Sequence, residues 1–126
     1  MTPTSASAGK RVLVVDDLKD VRQLLTLLLR KAGHDVTGAE NGAEALAALA
    51  EQRFDVALLD IRLPDIDGME LARRIRADES AAGIKLIAVS GDQGVAMDLS
   101  RDMGDFDDYI IKPFAPGDLI EKIAGP

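Results

Sequence analysis

Cysteine is absent from this 126-residue sequence, which excludes disulfides, thiolate metal centres and thiol nucleophiles. Tryptophan is absent and tyrosine occurs once, leaving little aromatic surface against which a flavin could sit. No apolar run approaches the roughly eighteen residues of a membrane span. The opening MTPTSASAGK also lacks the apolar stretch of a secretory signal, so a cytoplasmic location is expected. Positive charge is in deficit: 15 Lys and Arg face 22 Asp and Glu, for a formal net charge of -7. A phosphate-backbone binder normally needs a basic face. The expected partners are therefore proteins or small ligands, with no direct contact to nucleic acid or membrane.

What is present suits one soluble domain: 47% of the residues are hydrophobic and 29% charged, in a chain long enough for a single core. Residues 1–10 are small and polar and are expected to be a flexible leader. The domain is then expected over 11–124. Apolar runs at 12–15, 56–59, 86–89 and 109–111 read as strands, with a weaker fifth at 35–39. Amphipathic segments fill the gaps. Val21, Leu24, Leu25, Leu28 and Leu29 recur at helical spacing and predict one apolar stripe against the sheet, with Gly33 as its stop. Asn41 with Glu44, and Asp67 with Glu70, have capping-box spacing. Segment 95–103 carries only the narrow stripe Val95, Leu99 and Met103 and is expected to be the most mobile helix. Pro116 suits the first position of a last helix that ends by Ala124.

Five β-then-α units imply a parallel sheet with right-handed crossovers and helices on both faces. This is an α/β, flavodoxin-like doubly wound (βα)5 three-layer sandwich, with expected strand order 2-1-3-4-5. Ligands bind such sheets beyond the carboxyl ends of the strands, where the order reverses. Asp16 and Asp17 end the first strand and Asp60 ends the third, so three carboxylates converge on one crevice. Unit charges about 4 Å apart repel by roughly 4 kcal/mol at an effective dielectric of 20, and a cation relieves that repulsion. Oxygen ligands without Cys or His suit a hard ion, and Mg²⁺ is the expected one. The fourth strand ends in Ser90 and the fifth in Lys112, followed by Pro113. Carboxylate, metal, hydroxyl and ammonium at one sheet edge fit a phosphoryl group, for which Asp is a known acceptor.

Four stretches carry a family resemblance: VVDD at 14–17, LLDIRLPDIDG at 58–68, Ser90-Gly91 after an apolar strand, and DDYIIKPF at 107–114. In that order the sequence resembles the CheY-like receiver domains of two-component response regulators. The resemblance implies that Asp60 is the phosphoacceptor, taking a phosphoryl group from a phosphohistidine of a sensor histidine kinase or histidine phosphotransfer protein, or from a small donor. It implies that Asp16, Asp17, Asp60 and the backbone carbonyl of Arg62 hold Mg²⁺. Ser90 and Lys112 would each bind a phosphoryl oxygen after transfer. Gly91 would keep room beside the site, the Lys112-Pro113 peptide would be cis, and Ser90 with Tyr109 would form the switch. The face affected would comprise segment 95–103, the fifth strand and the last helix. Such a domain is a signalling module that catalyses only its own phosphorylation and dephosphorylation.

One departure from the family pattern is Asp105, which stands where a glycine is usual, so a positive φ is expected there, at a cost. Between Asp92 and Asp108 the sequence has six acidic residues and one basic, Arg101, which suggests a downstream protein partner with a basic patch. The alternative function is a Mg²⁺-dependent phosphohydrolase with an aspartyl nucleophile, of the haloacid dehalogenase type. That chemistry wants an acid two residues after the nucleophile, and Arg62 is there instead. A flavodoxin-like electron carrier would need a Ser/Thr- and Gly-rich phosphate loop after the first strand, which is missing. His34 reads as a loop residue, and Arg73, Arg74 and Arg76 as a solvated helix surface.

Overall fold

Strands whose residues are apolar on both faces need cover on both faces, and the chain supplies it by alternating strand with helix. A computed structural model describes residues 9–81, 83–91, 94, 97–98 and 101–125. Its elements are β1 (Arg11–Val15), α1 (Lys19–Lys31), β2 (Asp35–Ala39), α2 (Gly42–Glu51), β3 (Val56–Asp60), α3 (Gly68–Ala77), β4 (Lys85–Ser90), β5 (Asp108–Ile111) and a last helix, Pro116–Ala124. The strands form one parallel sheet in the order β2-β1-β3-β4-β5. No helix among the described residues is long and apolar enough to cross a membrane.

The period of two along each strand divides the core into two layers. Leu13, Val15, Ala57, Leu59, Leu86 and Ala88 face Ala45 of α2 and Leu71, Ala72 and Ile75 of α3. Val12, Val14, Val56, Leu58, Ile87, Val89 and Ile110 face Leu25 and Leu29 of α1 and Leu119 and Ile123 of the last helix. The result is the three-layer sandwich with order 2-1-3-4-5 that the sequence predicts.

Local differences have physical reasons. On α1 the buried row is Leu25 and Leu29, with Val21 packed beside it. Leu24, expected in the stripe, is 56% exposed because it lies about 100° around the helix from Leu25. Asn41 accepts the Glu44 N–H at 2.8 Å, but the Glu44 carboxylate takes the N–H of Glu40 rather than that of the cap. Asp67 caps α3 through the N–H of Met69, and Glu70 turns outward to Arg73 and Arg74.

The positive φ expected at Asp105 belongs to Gly104, at +58°, and no described non-glycine residue has one. The glycine is displaced by one position, so no side chain is strained there. Arg76 is not solvated: its guanidinium donates to the carbonyls of Ile84 and Asp105 and to the Asp107 carboxylate. Within the expected helix 95–103, Val95 and Leu99 lie outside the described residues, as does Asp92. Residues 94, 97, 98 and 101 are helical, and Met103 packs on the α2–α3 side of the core.

Candidate phosphoacceptor site

Register brings the site together. Val15 pairs with Leu59, so the next residues, Asp16 and Asp60, emerge side by side from adjacent strands at the point where the strand order reverses. Asp60 pairs with Val89 and Ser90 with Ile111, which sets Ser90 and then Lys112 along the same edge. The Lys112 N–H donates to the Ser90 carbonyl at 2.8 Å. Beyond β1 the chain turns at once because Asp16 Oδ1 accepts the N–H of Leu18 at 3.0 Å, a side-chain turn that aspartate favours.

Carboxylate oxygens of Asp16, Asp17 and Asp60 lie within 4.8 Å of one another. Asp16 is 1% exposed, and a charge that deep needs a partner. Lys112 Nζ supplies one, 3.2 Å from Asp16 Oδ2 and 3.8 Å from Asp60 Oδ2. Asp60 Oδ1 accepts the Arg62 N–H at 2.9 Å. Burial, reinforced by Asp16 and Asp17, pushes the Asp60 carboxyl above the usual carboxylate range, while the Arg62 N–H and Lys112 oppose it. The donors are hard oxygens clustered around one point, which fits a small divalent cation. One ammonium cannot neutralise three carboxylates.

Asp17, Leu18, Asp60, Arg62, Ser90, Gly91 and Lys112 line a cleft of about 420 Å³ over this edge. Ser90 is buried beneath it. A Cβ at Gly91 would lie 3.8 Å from Lys112 Cβ, so the lysine stem is its nearest neighbour. The Lys112-Pro113 peptide is cis. Tyr109 is half-buried, packs on the α2–α3 side of the core and also lines a larger cavity, about 840 Å³, beside the last helix. That cavity's Asp108 and Lys122 pair with each other at 3.0 Å, and among the described residues the converging carboxylate group is the one at the sheet edge.

Two residues that sequence reasoning passed over also bear on the site. Arg22 of α1 donates from Nη1 to the Asp16 carbonyl at 2.8 Å, its stem lying over Gly38, where a Cβ would come within 3.2 Å of Arg22 Cδ. Asp65 accepts the N–H groups of Gly42 and Ala43 at 2.8 and 3.0 Å. The glycine at 38 and the first aspartate within LPDIDG were the available signals, but periodicity within one element does not report on contacts between two.

The fold and the carboxylate-lined edge define a doubly wound α/β domain with a pocket of the kind used by aspartyl phosphoacceptors. The model of the response regulator receiver domain matches residues 12–124, and the chain belongs to that family. It is 37% identical over 114 residues to the DNA-binding response regulator MtrA of Mycolicibacterium paratuberculosis, covering 90% of this chain and 49% of that protein. The chain thus spans about half the length of the curated relatives it matches. Among solved structures, the response regulator TrrA of Thermotoga maritima, in complex with Mg²⁺ and BeF, superposes with a TM-score of 0.80 at 37% identity, over 90% of this chain and 96% of that one. The receiver domain of a Pseudomonas aeruginosa sensor histidine kinase, with a magnesium ion coordinated in its active-site cleft, gives 0.81 at 32% identity, over 93% and 95%. The receiver reading therefore prevails over the phosphohydrolase, whose second carboxyl group is replaced by Arg62.

Proposed function

We propose that Asp60 is the phosphoacceptor of this receiver. The observation that carries the reading is the convergence of Asp16, Asp17 and Asp60 with Lys112 in salt-bridge reach of both Asp16 and Asp60. An Asp60 oxygen attacks the phosphorus of a phosphohistidine, the P–N bond breaks, and the imidazole nitrogen leaves with the bonding pair; an acyl phosphate forms. Asp16, Asp17, Asp60 and the Arg62 carbonyl would hold Mg²⁺, which when bound supplies positive charge for the phosphoryl oxygens. Lys112 would then exchange its carboxylate partners for a phosphoryl oxygen, and the Ser90 hydroxyl would bind another.

Ser90 and Tyr109 form the switch in this reading, with Gly91 leaving the Ser90 turn unencumbered and Pro113 aiming Lys112. The phosphorylated state favours one arrangement of the face that comprises segment 95–103, of which 95, 96, 99 and 100 lie outside the described residues, with β5 and the last helix, changing its affinity for a partner. The phosphodonor is a sensor histidine kinase or a histidine phosphotransfer protein, and the setting is cytoplasmic. The domain acts on its own aspartate alone, in both phosphorylation and hydrolysis. A downstream protein with a basic patch would meet Asp98, Asp102 and Asp105, since Asp107 and Asp108 are taken up by Arg76 and Lys122.

The test is intact mass after incubation with acetyl phosphate, with and without Mg²⁺. Wild type should gain one phosphoryl group only with Mg²⁺, and Asp60→Asn none. An adduct that persists in the variant would place the acceptor elsewhere.

A further inference from the structure

The loop between β3 and α3 is held at both its ends and its tip. At its base the Gly68 N–H donates to the Ile61 carbonyl at 2.9 Å, and Arg62 and Asp67 form an antiparallel bridge. At its tip the Asp65 carboxylate spans the first two amides of α2, one oxygen on Gly42 N–H and the other on Ala43 N–H. The next residue, Ile66, sits over Gly42 so closely that a Cβ there would be 2.2 Å from Ile66 Cγ2. Asn41 takes the third free amide, that of Glu44.

A helix needs its first N–H groups satisfied, and a carboxylate at that end is favourable. Here two of them are satisfied by a residue 22 to 23 positions away, so the cap is also a tether. Between base and tip lies Arg62, whose N–H orients Asp60. The two amides hold the Asp65 carboxyl below the usual carboxylate range, so the clamp is ionised at neutral pH.

We propose that Asp65 is a positioning residue for the phosphoacceptor site: it clamps the loop 61–67 onto the start of α2 and thereby fixes Arg62, whose N–H aims Asp60 and whose carbonyl would help hold the cation. This rests on the functional reading above. The clamp acts on the site through Arg62 and touches no reacting atom.

The experiment pairs amide hydrogen exchange without Mg²⁺ with Mg²⁺ titration of acetyl phosphate labelling, on wild type, Asp65→Ala and Asp65→Asn. In Asp65→Ala the Arg62 amide should exchange faster together with those of Gly42 and Ala43, while Leu13 and Leu58 stay protected. The Mg²⁺ concentration for half-maximal labelling should rise about tenfold, the low end for partners that orient metal ligands, with the rate at saturating Mg²⁺ unchanged. Asp65→Asn, which keeps one acceptor oxygen, should fall between. Faster exchange confined to Gly42 and Ala43, with Mg²⁺ dependence as in wild type, would make Asp65 a helix cap and overturn the proposal. Should Asp65→Ala fail to fold, Asp65→Asn decides by the same two readouts. A wild type that neither bound Mg²⁺ nor accepted phosphate would overturn the functional reading instead, and the Arg62 amide would still decide whether the clamp exists.

Discussion

Gly68 shows how one residue's lack of a side chain sets the site's geometry. A Cβ there would sit 2.6 Å from Ile61 Cα and 2.7 Å from the Asp60 carbonyl, backbone atoms that cannot turn aside. Gly68→Ala should therefore push α3 away from the end of β3, destabilising the fold by about 1 to 3 kcal/mol, the range for overpacking. Urea unfolding measures the loss, and a midpoint equal to wild type would contradict the close approach. His34 offers a second test. It is buried, and its Nδ1 accepts the Lys10 N–H at 3.1 Å, which requires an unprotonated nitrogen. Burial, with help from the Lys10 charge, lowers its pKa below 6.5. A depressed folded-state value means that its stabilising contribution is full above 6.5 and is lost as the pH falls through the lower folded value. Lowering the pH from about 8 to about 5 should thus reduce the Tm of wild type more than that of His34→Gln, whose side chain does not titrate. Parallel curves would sink the assignment.

Elements were legible in the sequence in proportion to how far their burial is local. β1, β3 and β4 are covered on both faces, so each reads as an unbroken apolar run; β2, an edge strand with the pattern DVTGA, read weakly for the same reason. The stripe of α1 was legible at Val21, Leu25 and Leu29 but not at Leu24, where five leucines in six residues hide which row faces inward. The carboxylates, hydroxyl and lysine of the site were legible because all sit at strand ends. The ties between elements were not. Arg76 looked like part of a solvated face, yet it spans 31 positions to Asp107, whose carboxylate also accepts the Leu86 N–H at 2.8 Å. It fastens α3 to the turn before β5, beside the proposed switch residue Tyr109. Arg76→Ala should cost about 2 kcal/mol, a value for hydrogen bonds to charged groups, and should raise hydrogen exchange in residues 104–108. Arg74→Ala, whose exposed pair with Glu70 is worth little, is the control. Equal losses in the two variants would show that Arg76 is no fastener.

For the molecule as a whole, the site is a place where stability is given up for chemistry. Three carboxylates within 4.8 Å of one another repel by about 3 to 4 kcal/mol per pair at an effective dielectric of 20, on a chain already at -7. Lys112 offsets part of this but must divide itself between Asp16 and Asp60. Asp60→Asn removes one charge while keeping an oxygen to accept the Arg62 N–H, and it leaves Lys112 to Asp16. With a chelator present the variant should therefore be more stable than wild type, by on the order of 1 kcal/mol, or roughly 4 °C in Tm for a chain of this length. Mg²⁺ should reverse the direction of the comparison. A ligand that binds only the folded state stabilises it in proportion to the logarithm of its occupancy. Wild type presents three carboxylates to the cation and the variant two, so the rise in Tm per decade of Mg²⁺ should begin at lower concentration in wild type. A variant no more stable than wild type in chelator would mean that Lys112 already balances the cluster, and the case for a resident cation would then rest on the titration alone.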